Sequence, residues 1–195
     1  MINFESVVSN KAPVMKTQGI AAIGGALLVA LLAGCDTPKV GTGPKVPDNL
    51  RIPAMQRLSL KTRATGVQIY DCKPGKDDPA RFEWVFRAPE AKLFDAAGRR
   101  IAKHYAGPTW ESNDGSQVVG EVKARDDAPD VDAIPWLLMS AKSTSGAGVL
   151  GQTVAIQRVQ TVGGKAPVGG CSEAQAGKEA RVPYSATYYF YAARP

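Results

Sequence analysis

The sequence predicts an all-β fold: a single antiparallel β-sandwich or barrel-like domain with at most one short helix. Several short segments alternate apolar and polar residues with a period of two, which is the pattern of half-buried strands. Turn sequences rich in Gly, Asn and Asp separate these segments, and only residues 172–177 (SEAQAG) are typical of a short helix or helical turn. Short strands that alternate with turns at regular spacing favour a sandwich or a barrel.

The N-terminus carries a predicted export signal. An apolar run from Ile20 to Leu32 follows Lys16 and ends in Leu32-Ala33-Gly34-Cys35. A positive start, an apolar stretch and small residues before the cut are typical of a secretory signal peptide, and a cysteine directly after the small pair resembles the lipobox of bacterial lipoproteins. The run is shorter than the roughly 20 apolar residues of a spanning helix. We therefore expect residues 1–34 to be a lipoprotein signal peptide rather than a plain cleaved signal or a membrane anchor. Its true start is either Met1 or Met15.

Cleavage would leave Cys35 as the acylated first residue, with membrane lipid as its partner. Residues 35–49 are rich in Pro, Gly, Thr and Lys, and we expect them to form a flexible tether before a β-rich domain at 50–195. The predicted location is the cell envelope, as a membrane-anchored lipoprotein that faces the periplasm or another extracytoplasmic side. Asp36 resembles an inner-membrane retention signal, but that rule varies among bacteria, so the choice of membrane stays open.

The cysteines support this compartment. With Cys35 acylated, Cys72 and Cys171 remain as an even pair, which in an oxidising compartment predicts a disulfide. A catalytic thiol or a metal ligand is the alternative. The chain has no C-x-x-C motif and a single histidine, His104, so we expect neither a metal site nor a cofactor.

The strand candidates follow in order along the chain. They are residues 56–60, 66–70, 82–87, 118–123, 135–140, 153–162 and 184–191. The run at 135–140 is apolar at almost every position, which predicts burial on both faces. Residues 95–98 and 113–116 have the composition of hairpin turns.

Charge and two motifs exclude further function classes. The net charge of +6 comes from Lys and Arg scattered among acids, so no nucleic-acid partner is expected. Residues 146–151 match G-x-G-x-x-G, yet a strand-forming sequence follows where dinucleotide binding needs a helix, so no NAD site is expected. The acidic loop at 126–132 lacks the order of a calcium loop; a solvated turn is favoured over weak calcium binding.

The densest group of chemically able side chains lies between residues 104 and 116. The candidate binding residues there are His104, Trp110, Glu111, Asp114 and Ser116. A histidine beside carboxylates can act as a general base. Because the chain has no G-x-S-x-G elbow and no second histidine, we assign no catalytic residue. A purely structural hairpin around a core tryptophan is the competing interpretation.

Eight short segments together carry a family resemblance: GVQIYDC (66–72), WVFRAPEA (84–91), GPTW (107–110), DGS (114–116), IPWLL (134–138), IQR (156–158), TVGG (161–164) and VPY (182–184). On these segments the chain resembles the exported bacterial and fungal proteins grouped as domain-of-unknown-function family 3455. The resemblance runs from about Val46 to Tyr191. It implies export and agrees with a paired Cys72 and Cys171, and it implies no activity or catalytic residue.

We therefore expect an envelope protein that acts as a binding or structural module rather than as an enzyme. Aromatic residues in strands can line a pocket, so the expected occupant is a small apolar or aromatic ligand. The alternatives are a hydrolase-type envelope enzyme that uses residues 104–116, and an assembly protein with an exposed apolar patch.

Overall fold

The computed structural model describes residues 43–195 and consists almost entirely of β-strands. The strands are β1 (Gln56–Pro74), β2 (Phe82–Phe94), β3 (Arg100–Tyr105), β4 (Thr109–Ser112), β5 (Gln117–Asp126), β6 (Trp136–Ser145), β7 (Thr153–Gly163) and β8 (Glu179–Ala193). Two short 3-10 helices, Asp48–Leu50 and Glu173–Gln175, are the only helical elements of this part of the chain. The all-β prediction is confirmed.

The eight strands form one closed antiparallel barrel. Each strand pairs with the next, and β1 pairs with β8 to close the sheet. Loops therefore alternate between the two ends. The β1–β2, β3–β4, β5–β6 and β7–β8 loops lie at one end, which we call the mouth. The β2–β3, β4–β5 and β6–β7 loops lie at the other, which we call the closed end.

Strand β1 is longer than its sequence pattern predicts, since residues 61–65 continue the strand between the two predicted segments. Gly66, the first residue of the second predicted segment, faces Ala91 of β2, and a Cβ at this position would lie 2.0 Å from the Glu90 carbonyl oxygen. Glycine is needed here because the two backbones approach closely, and the strand does not end.

Two apolar clusters lie on opposite sides of the sheet. The inner cluster runs along the barrel interior and includes Leu93, Phe190 and, from the β6–β7 loop at the closed end, Leu150. The outer cluster joins Tyr189 and Tyr191 to Trp136, Val46 and Ile52. The segment before β1 thus covers the outside of the barrel.

Residues 43–49, the last part of the predicted tether, contribute to that cover. Leu50 is fully buried, and its carbonyl oxygen accepts a hydrogen bond of 2.6 Å from Gln157 Nε2. Tyr191 Oη donates to the Gln157 amide oxygen at 2.6 Å. The predicted signal peptide, Cys35 and residues 35–42 lie outside the described residues. In residues 43–195 no helix has the length and apolar character needed to cross a membrane.

The disulfide predicted between Cys72 and Cys171 is present. It joins the mouth end of β1 to the long β7–β8 loop, and Cys72 is fully buried. The Cys72 amide donates to the Lys178 carbonyl, and its own carbonyl accepts from Gly177. Covalent and backbone bonds therefore hold this loop against the rim of the barrel.

Candidate functional site

A cavity of about 450 Å³ opens at the mouth of the barrel. It exists because the inward-facing side chains fill the closed end and leave the other end unfilled. Its apolar and aromatic lining includes Tyr70, Phe86, Trp110, Leu137, Met139 and Tyr188. Its polar lining consists of Gln68, Arg87, His104, Arg125 and Arg158, and no described carboxylate lines it. The volume falls within the roughly 300–1,000 Å³ of small-molecule sites.

Three aromatic rings pack together to form one wall. His104 on β3 and Trp110 on β4 are directly opposite in the strand ladder, so both side chains point to the same face of the sheet. Their rings are parallel, with centroids 4.1 Å apart and an interplanar angle of 8°. Tyr188 packs edge-on against both, at 5.4 Å from each. The wall is thus a rigid aromatic surface.

His104 is neutral in this environment. Burial in the aromatic wall lowers the pKa of His104 to about 3. A hydrogen bond to the Thr109 backbone favours the charged ring and offsets only part of this effect. In that bond Nδ1 donates to the Thr109 carbonyl oxygen at 2.9 Å, because a carbonyl can only accept. Nε2 is therefore the unprotonated nitrogen, and its low basicity makes it a weak base at neutral pH.

Arg158 on β7 brings a positive charge to the cavity. Its Nε and Nη2 both donate to the Pro135 carbonyl oxygen, at 3.2 and 2.8 Å. It forms no ion pair with any residue from 43 to 195. Burial raises the pKa of Tyr70 and of Tyr188, and the Arg158 charge opposes that rise at both.

Two further polar groups in the lining lack partners. Gln68 Nε2 and Trp110 Nε1 are buried and make no hydrogen bond within the described part of the chain. Burial raises the pKa of Tyr184, and the nearby Gln68 amide opposes part of that rise. Gln68 Nε2 nevertheless has no hydrogen bond of ordinary length within residues 43–195. Unpaired buried N–H groups cost free energy, so both would be stabilised by an acceptor.

The rim of the cavity is exposed and partly apolar. Phe86 and Val122 line the opening with 50 % and 46 % of their surface exposed. Arg87 lies beside them but is paired with Asp71, at 2.9 Å, and with Glu179. Arg125 also lines the opening and has no ion-pair partner in residues 43–195.

The structure separates the five residues that the sequence grouped as candidate binding residues. His104 and Trp110 meet in the cavity wall. Glu111 points to the outside of the barrel, where it accepts a hydrogen bond of 2.7 Å from Tyr105 Oη and pairs with Lys103 at 3.0 Å. The hydrogen bond from Tyr105 makes the largest contribution to lowering the pKa of Glu111, followed by the contact with Lys103.

Asp114 and Ser116 lie in the β4–β5 hairpin at the closed end, away from the mouth. Asp114 Oδ1 accepts from the Ser116 amide and hydroxyl, and Oδ2 accepts from the Val149 amide at 2.8 Å. These hydrogen bonds lower the pKa of Asp114 to about 2. The largest contribution comes from the Ser116 hydroxyl and the next from the Val149 amide. Ser116 Oγ accepts from Leu150 N at 3.0 Å. This hairpin fastens the β6–β7 loop to the barrel.

The same contacts account for the G-x-G-x-x-G match. A Cβ at Gly148 would lie 2.3 Å from the Asp114 carboxylate, and a Cβ at Gly151 would lie 2.0 Å from the Gly146 carbonyl oxygen. The glycines thus let a tight loop between two antiparallel strands pack on the hairpin. Strand β7 begins two residues after Gly151, at the place where a dinucleotide site would need a helix.

The acidic loop contains a local turn rather than a group of converging carboxylates. The Asp130 carboxylate accepts the amide hydrogen of Asp132 at 3.0 Å. Across residues 43–195 no three His, Cys, Asp or Glu side chains are arranged to hold a metal ion.

Sequence reasoning missed Arg158, Tyr70 and Tyr188 as cavity residues. Tyr188 was part of the predicted alternating strand at 184–191, so its inward position could have been derived from the period of two. Arg158 gave a weaker signal: it is a charged residue between buried positions of β7, and a polar residue at an inward position is typical of a ligand cavity.

Fold and site together define a small eight-stranded antiparallel barrel with an aromatic-lined cavity open at one end. The chain belongs to the family described as "Protein of unknown function (DUF3455)", whose model matches residues 53–192. Searches of curated proteins and of solved structures found no match.

Proposed function

We propose that this is a lipid-anchored cell-envelope protein whose barrel binds one small apolar or aromatic molecule. The observation that carries the proposal is the cavity at the mouth, which combines an aromatic wall with an opening to solvent. A barrel has no need of such a space for stability, because filling it with side chains would add buried apolar contacts. Clefts of this kind at barrel mouths are common ligand sites.

The alternative of a hydrolase-type enzyme receives little support from the geometry. His104 would need a carboxylate to orient it and a nucleophile within hydrogen-bond reach. Its recorded partner is the Thr109 carbonyl, whereas Glu111 is bound to Tyr105 on the outer surface. We therefore favour binding without chemistry.

A fluorescence titration with the neutral dye N-phenylnaphthylamine tests the proposal. The chain from residue 36 onward keeps every contact described above, including β1–β8 closure, and avoids the detergent that a lipidated protein requires. We expect saturable binding at one site per chain. Val122→Trp, which places a large ring in the opening, should weaken binding at least about tenfold, or roughly 1.4 kcal/mol.

Val154→Trp is the matched control. Val154 is a similarly exposed valine on β7 that does not line the cavity, so this variant should bind the dye like the parent. Absence of saturable binding to the parent chain, or equal weakening by both substitutions, contradicts the proposal.

A further inference from the structure

We propose that the ligand is an apolar organic acid whose carboxylate pairs with Arg158 inside the barrel. This inference rests on the proposed binding function and adds the charge of the occupant. It follows from an imbalance in the cavity, where Arg158, Arg125 and two buried N–H groups have no carboxylate partner among residues 43–195.

Arg158 is the first part of the argument. Its guanidinium is partly buried, and a partly desolvated cation is stabilised by a counter-charge or by several hydrogen bonds. Two of its nitrogens share the single Pro135 carbonyl oxygen. Its other close neighbour is the Tyr188 hydroxyl, where burial raises the pKa and a hydrogen bond from Arg158 opposes that rise. A carboxylate is the natural partner because its two oxygens match the planar array of guanidinium donors.

The neighbouring groups favour the same partner. Gln68 and Trp110 each hold a buried N–H that lacks an acceptor. Because the lining includes no Asp or Glu, a bound anion would meet no carboxylate in the cavity wall. A cationic ligand would face Arg158 with no compensating acid.

The body of the ligand must be apolar. Most of the wall consists of aromatic and aliphatic side chains, among them Trp110, Met139 and Tyr188. An inorganic anion would pair with Arg158 and leave these surfaces unfilled. An aliphatic or an aromatic monocarboxylate satisfies both requirements.

Arg125 at the rim adds attraction for anions. Acidic side chains of the β5–β6 loop lie at the same end of the barrel, so this end is not uniformly positive, but none of them lines the cavity. We therefore assign binding to Arg158 and only a contribution to the association rate to Arg125.

The test compares acids with neutral alcohols of the same shape. Dodecanoate and dodecanol form one pair, and naphthoate and naphthylmethanol form the other; each displaces N-phenylnaphthylamine from the chain beginning at residue 36. We expect the better-fitting acid to bind at least about tenfold more tightly than its alcohol. The pair that contains this acid shows whether the body is aliphatic or aromatic.

Arg158→Gln should remove this preference by weakening the acid about tenfold, while the alcohol changes less than about twofold. Arg158→Lys should keep part of the preference, since it retains the charge without the planar donors. Arg100→Gln, the same charge change on β3 at the closed end, should have no effect. If Arg158→Gln does not fold, the acid-to-alcohol ratio of the parent chain and of Arg158→Lys still decides the question.

Two outcomes overturn the inference in distinguishable ways. If the dye binds but acids and alcohols compete equally, or if Arg158→Gln keeps the full preference for acid, the cavity binds neutral molecules and only the anion assignment fails. If the dye, the acids and the alcohols all fail to bind, the proposed function fails as well.

Discussion

His104 is held neutral by its surroundings, and this has a consequence for stability. Burial lowers its pKa to about 3 in the folded protein, whereas an unfolded histidine titrates near 6.5. Between these values the unfolded chain binds a proton that the folded chain does not. The contribution of His104 to the free energy of unfolding is therefore fully present above about pH 6.5 and is lost as the pH falls.

We predict that the free energy of unfolding decreases by up to about 1.4 kcal/mol per pH unit below pH 6.5. His104 is the only histidine of the chain, so the range from about pH 6.5 to 5 isolates it from the carboxylates. Urea unfolding across this range measures the slope, and His104→Gln should flatten it. An unchanged slope in the variant would show that His104 is not the titrating group.

Asp114 has a structural role in our account, in contrast to its place among the candidate binding residues. We predict that Asp114→Asn lowers stability by about 1 kcal/mol, the usual net contribution of a hydrogen bond, because its oxygens accept from Ser116 and Val149. Dye affinity should not change, since the hairpin lies at the closed end. A variant with normal stability and impaired binding would restore Asp114 as a site residue.

At the scale of elements, periodicity predicted most of the strands, and sequence proximity alone grouped the candidate binding residues. The hairpin turns at 95–98 and 113–116 lie where their composition placed them, between β2 and β3 and between β4 and β5. His104 and Trp110, which were grouped by their proximity in sequence, are cross-strand neighbours and both line the cavity. Asp114 and Ser116 were not separated from them, because sequence proximity does not reveal that four residues of β4 carry the chain toward the closed end.

The alternation of apolar and polar residues could not predict that the sheet closes into a barrel, for a related reason. A sandwich and a barrel share the same alternation, and the difference lies in the pairing of β1 with β8, which are far apart in the chain. Arg158 was missed because its position in a cavity depends on the residues of other strands that surround it, which the local sequence does not reveal.

The disulfide is the element-scale feature with the clearest expected cost. Cys72 and Cys171 are 99 residues apart in sequence, and loss of a native disulfide in a small secreted domain costs roughly 2–5 kcal/mol. We predict a clear fall in the thermal midpoint of the Cys72→Ala, Cys171→Ala double variant. An unreduced digest of the parent should contain the two peptides joined. Free thiols in both peptides would contradict the pairing.

At the scale of the whole molecule, the first described residues lie at the closed end of the barrel. Gly43 lies next to Tyr191, near the closed-end terminus of β8. None of the described residues before β1 lines the cavity, so this segment leaves the mouth open.

We predict that the protein fractionates with membranes through Cys35 alone. Cys35→Ser should abolish lipid labelling and leave uncleaved precursor, because the lipoprotein signal peptidase acts on the acylated cysteine. Metabolic labelling with a fatty acid and the apparent mass of the product provide the measurement. A fully processed, membrane-bound Cys35→Ser protein would rule out the lipoprotein assignment.

The most direct measurement of ligand binding in the barrel is a nitrogen-edited NMR titration that follows the three tryptophan indole N–H signals. Trp110 lines the cavity, whereas Trp84 and Trp136 do not; Trp→Phe substitutions at the latter two assign the signals. We predict that N-phenylnaphthylamine shifts the Trp110 signal in a saturable manner and leaves the other two nearly unchanged. Shifts at Trp84 or Trp136 with Trp110 unaffected would place the ligand elsewhere and contradict the account.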